Sequence, residues 1–86
     1  MVGLSQDSQD DYPLAHTAAT RMLVAGLERV HAERRMTQKD VAAQLNYKTS
    51  VVLSHMASGR VPIPIDRAND IAGVLGLDPS RFLMAV

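Results

Sequence analysis

The feature that most constrains the fold of this chain is the repeated interruption of apolar stretches that have helical spacing. In residues 14 to about 34, apolar side chains recur at steps of three and four, the period of an α-helix that buries one side; they are Leu14, Ala18, Ala19, Met22, Leu23, Leu27 and Val30. Later stretches end at Asn46, at Gly59, at Pro62 and Pro64, and at Gly76, all of residue types that stop helices. No stretch is convincing as a strand. The chain is therefore predicted to be all-α, with five helices.

Two of these helices are short and lie between residues 37 and 59. Thr37, followed three residues later by Asp40, resembles a capping box with Asp in place of the usual Glu or Gln. The second helix is predicted to bury Val41, Ala42 and Leu45 and to end at Asn46 and Tyr47. The third is predicted to be capped by Thr49 or Ser50, with Val52, Leu53 and Met56 on one side and Ser50, Ser54, His55 and Ser58 toward another.

The last two helices follow a stiff connector that contains Pro62 and Pro64. Helix four is predicted to begin near Ile65 and to end at Gly76, with Ala68, Ile71, Ala72 and Leu75 buried and Leu77 returning toward the core. Asp78 is a preferred cap and Pro79 is tolerated at a first helical position, so residues 80–85 are predicted to be helical. In the first helix, Gly26 indicates either a close helix contact or an indifferent surface position.

Size and composition limit the classes of protein that fit. The 86 residues suffice for one domain, and their 47% apolar content includes a single Phe and two Tyr, so an aliphatic core is expected. The chain has no Cys, which excludes disulfides and thiolate metal sites. Residues 1–12 are polar and are predicted to be a flexible acidic tail before a domain spanning residues 13–86. Without an apolar leader or membrane-length stretch, a soluble cytoplasmic protein is expected.

Charge is distributed unevenly along the chain. The formal net charge is zero, but residues 1–12 hold Asp7, Asp10 and Asp11 and no basic residue. Residues 13–86 therefore hold all 9 basic residues against 6 acidic ones, a net charge of +3. A mildly basic domain is a weak indication of nucleic-acid binding, since such domains are usually more basic.

Two short helices followed by two closing helices resemble the lambda repressor, Cro and XRE family of helix-turn-helix regulators. The resemblance covers residues 20–83 and is carried by MTQKDVAAQL at 36–45, VLSHMASGR at 52–60 and IAGVLGLDPSRFL at 71–83. It implies a compact five-helix, lambda-repressor-like DNA-binding domain. The chain departs from the family by Asn46 where Gly is usual, and by one extra residue near Tyr47 and Lys48. This gapped alignment buries Met56, whereas an ungapped alignment would bury His55 instead.

The resemblance also implies which residues bind DNA. The base-facing positions of helix three fall at Thr49, Ser50, Val51, Ser54 and His55, where hydroxyls can bond base edges and Val51 can touch a thymine methyl; Thr49 alternatively only caps the helix. Gln38 stands where the family has a Gln that contacts a phosphate; the alternative interpretation is that Gln38 is only a solvated residue in the first turn of its helix. Phosphate contacts are also expected from Arg34, Arg35, Lys39, Lys48 and Arg60, whereas Arg21, Arg29, Arg67 and Arg81 are expected to be peripheral.

Enzymatic and cofactor-binding functions find no support in the sequence. Ser54 and His55 are adjacent, so on a helix they point about a quarter-turn apart, and no carboxylate is spaced to orient the imidazole. The three His residues, His16, His31 and His55, are scattered and lack zinc-ligand spacing. The glycines form neither the G-x-G-x-x-G pattern of dinucleotide-binding folds nor a P-loop pattern. The chain is therefore not expected to be an enzyme or to bind a metal or cofactor.

These observations predict a sequence-specific transcription regulator, a repressor that binds double-stranded DNA at a palindromic operator as a homodimer. The apolar residues 82–86 either complete the core or form part of a two-fold interface. Two other functions remain open. One is an antitoxin that represses its own operon and binds a toxin, a small protein partner. The other is a protein-interaction module that has this fold without DNA binding, in keeping with the modest charge.

Overall fold

The structure is a computed structural model that describes residues 14–86. Five α-helices follow one another: α1 (Ala18–Arg34), α2 (Gln38–Gln44), α3 (Val51–Ser58), α4 (Ile65–Leu75) and α5 (Pro79–Ala85). The described part of the chain contains no strand, so the predicted all-α fold with five helices is confirmed. The predicted tail of residues 1–12 lies outside the described residues.

Helix α1 starts later than its apolar pattern indicates. Thr17 is the N-cap, and its hydroxyl oxygen accepts the N–H of Thr20 at 3.2 Å. A capping hydroxyl satisfies a donor that has no partner within the helix, which favours a start here rather than at Leu14. Leu14 lies ahead of the helix and is half-buried. Ala18 is exposed, so the prediction that it lies on the buried side of helix one is wrong.

The capping box predicted for α2 is present. The Thr37 hydroxyl accepts the N–H of Asp40 at 3.2 Å, and a carboxylate oxygen of Asp40 accepts the N–H of Thr37 at 2.9 Å. Hydrogen bonds from the backbone N–H and hydroxyl of Thr37 hold the pKa of Asp40 below its usual value, and the neighbouring Lys39 charge adds to this effect. Local sequence alone therefore determines where α2 begins.

Left-handed backbone residues end four of the helices. Arg35 and Asn46 have φ values of 58° and 66°, and Gly59 and Gly76 have 85° and 70°. After α2, the Asn46 N–H donates to the Ala43 carbonyl at 3.1 Å and the Tyr47 N–H to the Ala42 carbonyl at 2.9 Å. This is the Schellman pattern, in which a left-handed residue lets the chain satisfy the last helical carbonyls. Asn46 thus ends α2 as predicted.

The core forms where α1 packs on α3, α4 and α5, while α2 packs on α3 and α4, and α4 packs on α5. Its largest fully buried side chains are Phe82, Leu23, Leu45, Leu53, Met56, Ile71, Leu75 and Val41. Within the described residues the one buried polar side chain is Thr20, whose hydroxyl oxygen accepts a hydrogen bond from the Thr17 O–H at 3.0 Å. An almost entirely aliphatic core confirms the expectation from composition.

Gly26 lies at a close contact between helices. A Cβ at this position would stand 3.2 Å from side-chain atoms of both Leu75 and Leu77. Of the two interpretations left open by the sequence, the close helix contact is therefore correct. Nearby, the Arg29 guanidinium donates to the Leu75 carbonyl at the end of α4, so α1 holds the last turn of α4 by packing and by a hydrogen bond.

No helix in residues 14–86 combines the length and the apolar character that a membrane crossing requires.

Candidate nucleic-acid interface

Helix α3 keeps only two side chains in the core. Leu53 and Met56 have no exposed surface, whereas Val51 is 53% exposed and Ser54 is also exposed. We call Val51, Val52, Ser54 and His55 the outer face of α3; of these, His55 alone is partly covered. Val51, Val52 and Ser54 have short side chains, so a large partner can approach the backbone of α3 closely on this face.

Val52 belongs to this outer face and not to the buried side as predicted. It is 43% exposed. Each residue rotates a helix by about 100°, so a buried side centred between Leu53 and Met56 leaves Val52 roughly 70° to its flank. The sequence does not show this position, because three apolar residues on so short a helix do not reveal which of them lies at the flank.

The burial of α3 shows which of Met56 and His55 lies in the core. Met56 is fully buried while His55 is only partly covered. The gapped alignment with one extra residue near Tyr47 and Lys48 predicts this pattern, and the ungapped alignment predicts the reverse. The connection between α2 and α3 accordingly runs from Leu45 through Ser50.

Of the two residues that the sequence offered as caps of α3, Ser50 holds the N-cap position and Thr49 supplies the side-chain hydrogen bond. Ser50 occupies the N-cap position but its side chain makes no capping hydrogen bond. The Thr49 hydroxyl oxygen instead accepts the N–H of Val51 at 3.2 Å. Since this bond uses the oxygen lone pair, the Thr49 hydroxyl hydrogen remains able to donate. A local cap and an external contact are therefore compatible at Thr49, which is exposed.

The side chains proposed for phosphate contact are all exposed and lie in three short segments. Arg34 and Arg35 end α1, just ahead of Gln38 and Lys39 in the first turn of α2. Lys48 lies in the α2–α3 connection. Arg60 directly follows Gly59 at the end of α3 and makes an interaction of its own within the protein. Cationic groups therefore lie at the end of α1, in the first turn of α2, in the α2–α3 connection and directly after α3.

Two of the arginines expected to be peripheral to DNA binding hold helix ends. Arg29 donates to the Leu75 carbonyl, and Arg67 donates to the Leu45 carbonyl at 2.7 Å. Both acceptors belong to the carboxyl ends of helices, where carbonyls lack helical partners and a positive charge is favourable. Sequence reasoning missed these roles because each pair is far apart in the chain, by 46 and 22 residues.

The end of α3 is pinned by the segment that precedes α1. A Cβ on Gly59 would overlap the backbone of Ala15 and lie 2.7 Å from the carbonyl carbon of Leu14. Only glycine leaves room for this crossing of two backbones. The position of α3 is therefore set at one end by Gly59 and at the other by the α2–α3 connection.

Residues 14–86 contain no group of three His, Asp or Glu side chains arranged to hold a metal ion.

Comparison with known proteins adds no relative: no model of a protein family, no curated protein and no solved structure matches this chain. The resemblance to the helix-turn-helix regulators rests on the residues quoted above.

Proposed function

We propose that this protein is a sequence-specific DNA-binding transcription regulator, a repressor that acts as a homodimer on a palindromic operator. In this proposal the domain has the lambda-repressor-like fold, α2 braces against the DNA backbone, and α3 enters the major groove as the recognition helix. The observation that carries the proposal is the outer face of α3, which remains exposed on a helix anchored by Leu53 and Met56.

The chemistry of that face suits base edges. The major groove is about 12 Å wide and accepts an α-helix, provided that its side chains do not hold it away. Thr49, Ser50 and Ser54 offer hydroxyls that donate or accept, and His55 offers a ring nitrogen. Val51 and Val52, both exposed, are apolar partners for a thymine methyl group. Val52 is an addition to the base contacts expected from the sequence.

Phosphate contacts by exposed residues around α2 and α3 complete the proposed interface. They are Arg34, Arg35, Gln38, Lys39, Lys48 and Arg60. Such contacts orient a protein on the duplex and supply affinity without reading sequence. The net charge of +3 in residues 13–86 is small for this task, so each domain alone is expected to bind weakly and to gain from pairing.

Pairing is supported by the apolar surface of α5. Phe82 is fully buried, whereas its neighbours Leu83 and Met84 are 48% and 87% exposed. The apolar run thus serves the core through Phe82 and leaves Leu83 and Met84 for a two-fold contact. Two domains related in this way would present recognition helices about 34 Å apart and read an inverted repeat.

The test is selection of bound duplexes from a random DNA pool, followed by fluorescence anisotropy titration of the selected duplex at several salt concentrations. A palindromic consensus is expected. The logarithm of the association constant should fall linearly with the logarithm of the salt concentration, with a slope of about −0.9 for each phosphate that the protein neutralises. Enrichment of a single half-site would contradict the homodimer, and absence of any enriched sequence would contradict DNA recognition.

A second candidate function is protein interaction, either as an antitoxin that also represses its operon or as a module without DNA binding. The exposed Leu83 and Met84 support it as well, because exposed apolar groups favour protein contacts. Copurification of one small protein in stoichiometric amount from the native host, with an enriched DNA sequence, would favour the antitoxin. The same copurification without DNA enrichment would favour the module.

A further inference from the structure

Arg67 connects the first turn of α4 to the connection between α2 and α3. Its guanidinium donates to the Leu45 carbonyl at 2.7 Å, and its central carbon lies 4.8 Å from the centre of the Tyr47 ring. Both Arg67 and Tyr47 are half-buried, so neither contact is fully screened by water. One side chain thus contacts residues on both sides of Asn46.

The contacted backbone is the point where the chain leaves α2. Leu45 is the C-cap, and Asn46 takes the left-handed conformation that costs a non-glycine residue free energy. The Tyr47 N–H is bonded back to Ala42 at 2.9 Å. Arg67 adds a hydrogen bond and a cation–π contact to this turn, and its charge lies at the negative end of α2.

The path after Tyr47 is short, because Lys48, Thr49 and Ser50 alone separate it from the first residue of α3. A change in the direction of the chain at Tyr47 is therefore passed on to the start of α3. The connection is also one residue longer than the resemblance implies, and a longer connection has more conformations to lose when ordered.

We infer that Arg67 is a positioning residue that holds the α2–α3 turn in one conformation and thereby sets the orientation of α3 against α2. Its consequence for DNA recognition rests on the proposed function, while its effect on the turn does not. Lysine can replace it only in part, since one ammonium group cannot donate to the Leu45 carbonyl and also lie flat over the Tyr47 ring as a planar guanidinium does.

The first test uses the protein without DNA and measures amide hydrogen exchange. In Arg67→Met, the Asn46 and Tyr47 amides are expected to exchange about tenfold faster, the order expected for loss of a hydrogen bond from a charged donor. Arg67→Lys should recover part of the protection and Tyr47→Leu should lose part of it. Arg81→Met, a change at an exposed arginine on α5, is the matched control. The slowest amides of α1 report any change in global unfolding.

Equal acceleration at every amide would mean a general loss of stability and would overturn the inference, as would unchanged protection of Asn46 and Tyr47. If Arg67→Met does not fold, Tyr47→Leu and Arg67→Lys decide by the same measurement. These results do not depend on DNA binding.

The second test uses the selected duplex and its single-base variants. Arg67→Met is expected to weaken operator binding about tenfold and to reduce the difference in affinity between the operator and its single-base variants. The salt slope should be unchanged, because Arg67 is proposed to contact no phosphate. A slope reduced by about one unit would identify Arg67 as a direct phosphate contact and overturn the inference. Failure of the unmodified protein to bind any duplex would refute the proposed function, while the exchange measurement would still decide the role of Arg67.

Discussion

Gly59 meets two requirements at the end of α3 that other residue types do not meet together. Its φ of 85° lies in the left-handed region, and its missing side chain leaves room for the backbone of Ala15. Gly73 provides the contrast, since it lies within α4 and a Cβ there would meet no atom within 4 Å. The same residue type is therefore required at one position and unfavourable at the other.

Gly59→Ala is expected to lower the free energy of unfolding by at least about 2 kcal/mol, from backbone strain together with displacement of Leu14 and Ala15. Gly73→Ala should raise it by about 0.5–1 kcal/mol, because alanine restricts the unfolded chain and favours the helix. Urea unfolding followed by circular dichroism measures both. Similar effects of the two substitutions would show that the backbone crossing at Gly59 does not constrain the fold.

Asp40 makes stability depend on pH at the start of α2. Its pKa is lowered from the usual 3.8 by hydrogen bonds from Thr37, so the folded state binds this proton less readily than the unfolded chain. The ionised carboxyl therefore stabilises the fold fully above the usual pKa, and this contribution is lost as the pH falls through the lower folded-state pKa.

Asp40→Asn is expected to be less stable than the unmodified protein by a constant amount near neutral pH, and the difference should shrink in acid. Urea unfolding from neutral pH to about pH 2 tests the stability change, and carbon NMR titration of the Asp40 carboxyl tests the pKa. In Thr37→Ala the carboxyl should titrate closer to its usual range. A difference independent of pH would contradict the role of the ionised carboxyl.

At the scale of elements, α3 combines fixed ends with an open face. Gly59 and the segment before α1 constrain its last residue, and the capped connection constrains its first. Leu53 and Met56 anchor the helix between these ends, since both are fully buried. A helix held in this way presents its outer face in one orientation, which is what recognition of a base sequence requires.

The roles proposed for α3 and for Arg60, which follows it, predict two kinds of variant. Arg60→Ala should weaken binding to all duplexes by a similar factor and reduce the salt slope by about one unit, because a phosphate contact does not read sequence. Ser54→Ala and His55→Ala should instead change which bases are preferred, by about 1–3 kcal/mol at single positions. Anisotropy titrations on the selected duplex and its single-base variants measure both.

Lys39→Ala, at an exposed residue in the first turn of α2, is the companion to Arg60→Ala because it removes a proposed phosphate contact on another helix. It should behave as Arg60→Ala does. Identical behaviour of the Arg60 and Ser54 variants across all duplexes would refute the division between backbone and base contacts.

At the scale of the whole molecule, α5 divides its apolar residues between the interior and the surface. Phe82 lies in the core, while Leu83 and Met84 remain exposed in the single chain. Contact between two copies through α5 would cover these side chains and double the number of phosphates bound, which compensates for the modest charge of one domain.

The double substitution Leu83→Ser with Met84→Ser is expected to give a monomer in light scattering at micromolar concentration. Stability should change little, since both side chains are exposed, and affinity for the palindrome should fall much more than affinity for one half-site. Arg81→Ala, also exposed on α5, is the control and should leave the oligomeric state unchanged. An unmodified protein that is itself monomeric under these conditions would refute the homodimer.

The local structure could be predicted from neighbouring residues: the caps at Thr37 and Asp78, and the stops at Asn46, Gly59 and Gly76. These signals act between residues a few positions apart, so they are readable without knowledge of packing. Most core residues were likewise predictable from helical spacing. The outward position of Val52 was not, because a three-residue apolar group on a two-turn helix does not show which member lies at the flank.

The long-range contacts depend on how the helices pack: Gly26 against Leu75 and Leu77, Arg29 on the Leu75 carbonyl, and Arg67 on the Leu45 carbonyl and the Tyr47 ring. Their partners are distant in the chain and come together only after the helices pack. Local spacing specifies which side of each helix is apolar, but the pairing of helices determines which helix end a given arginine reaches, and that depends on all five helices at once.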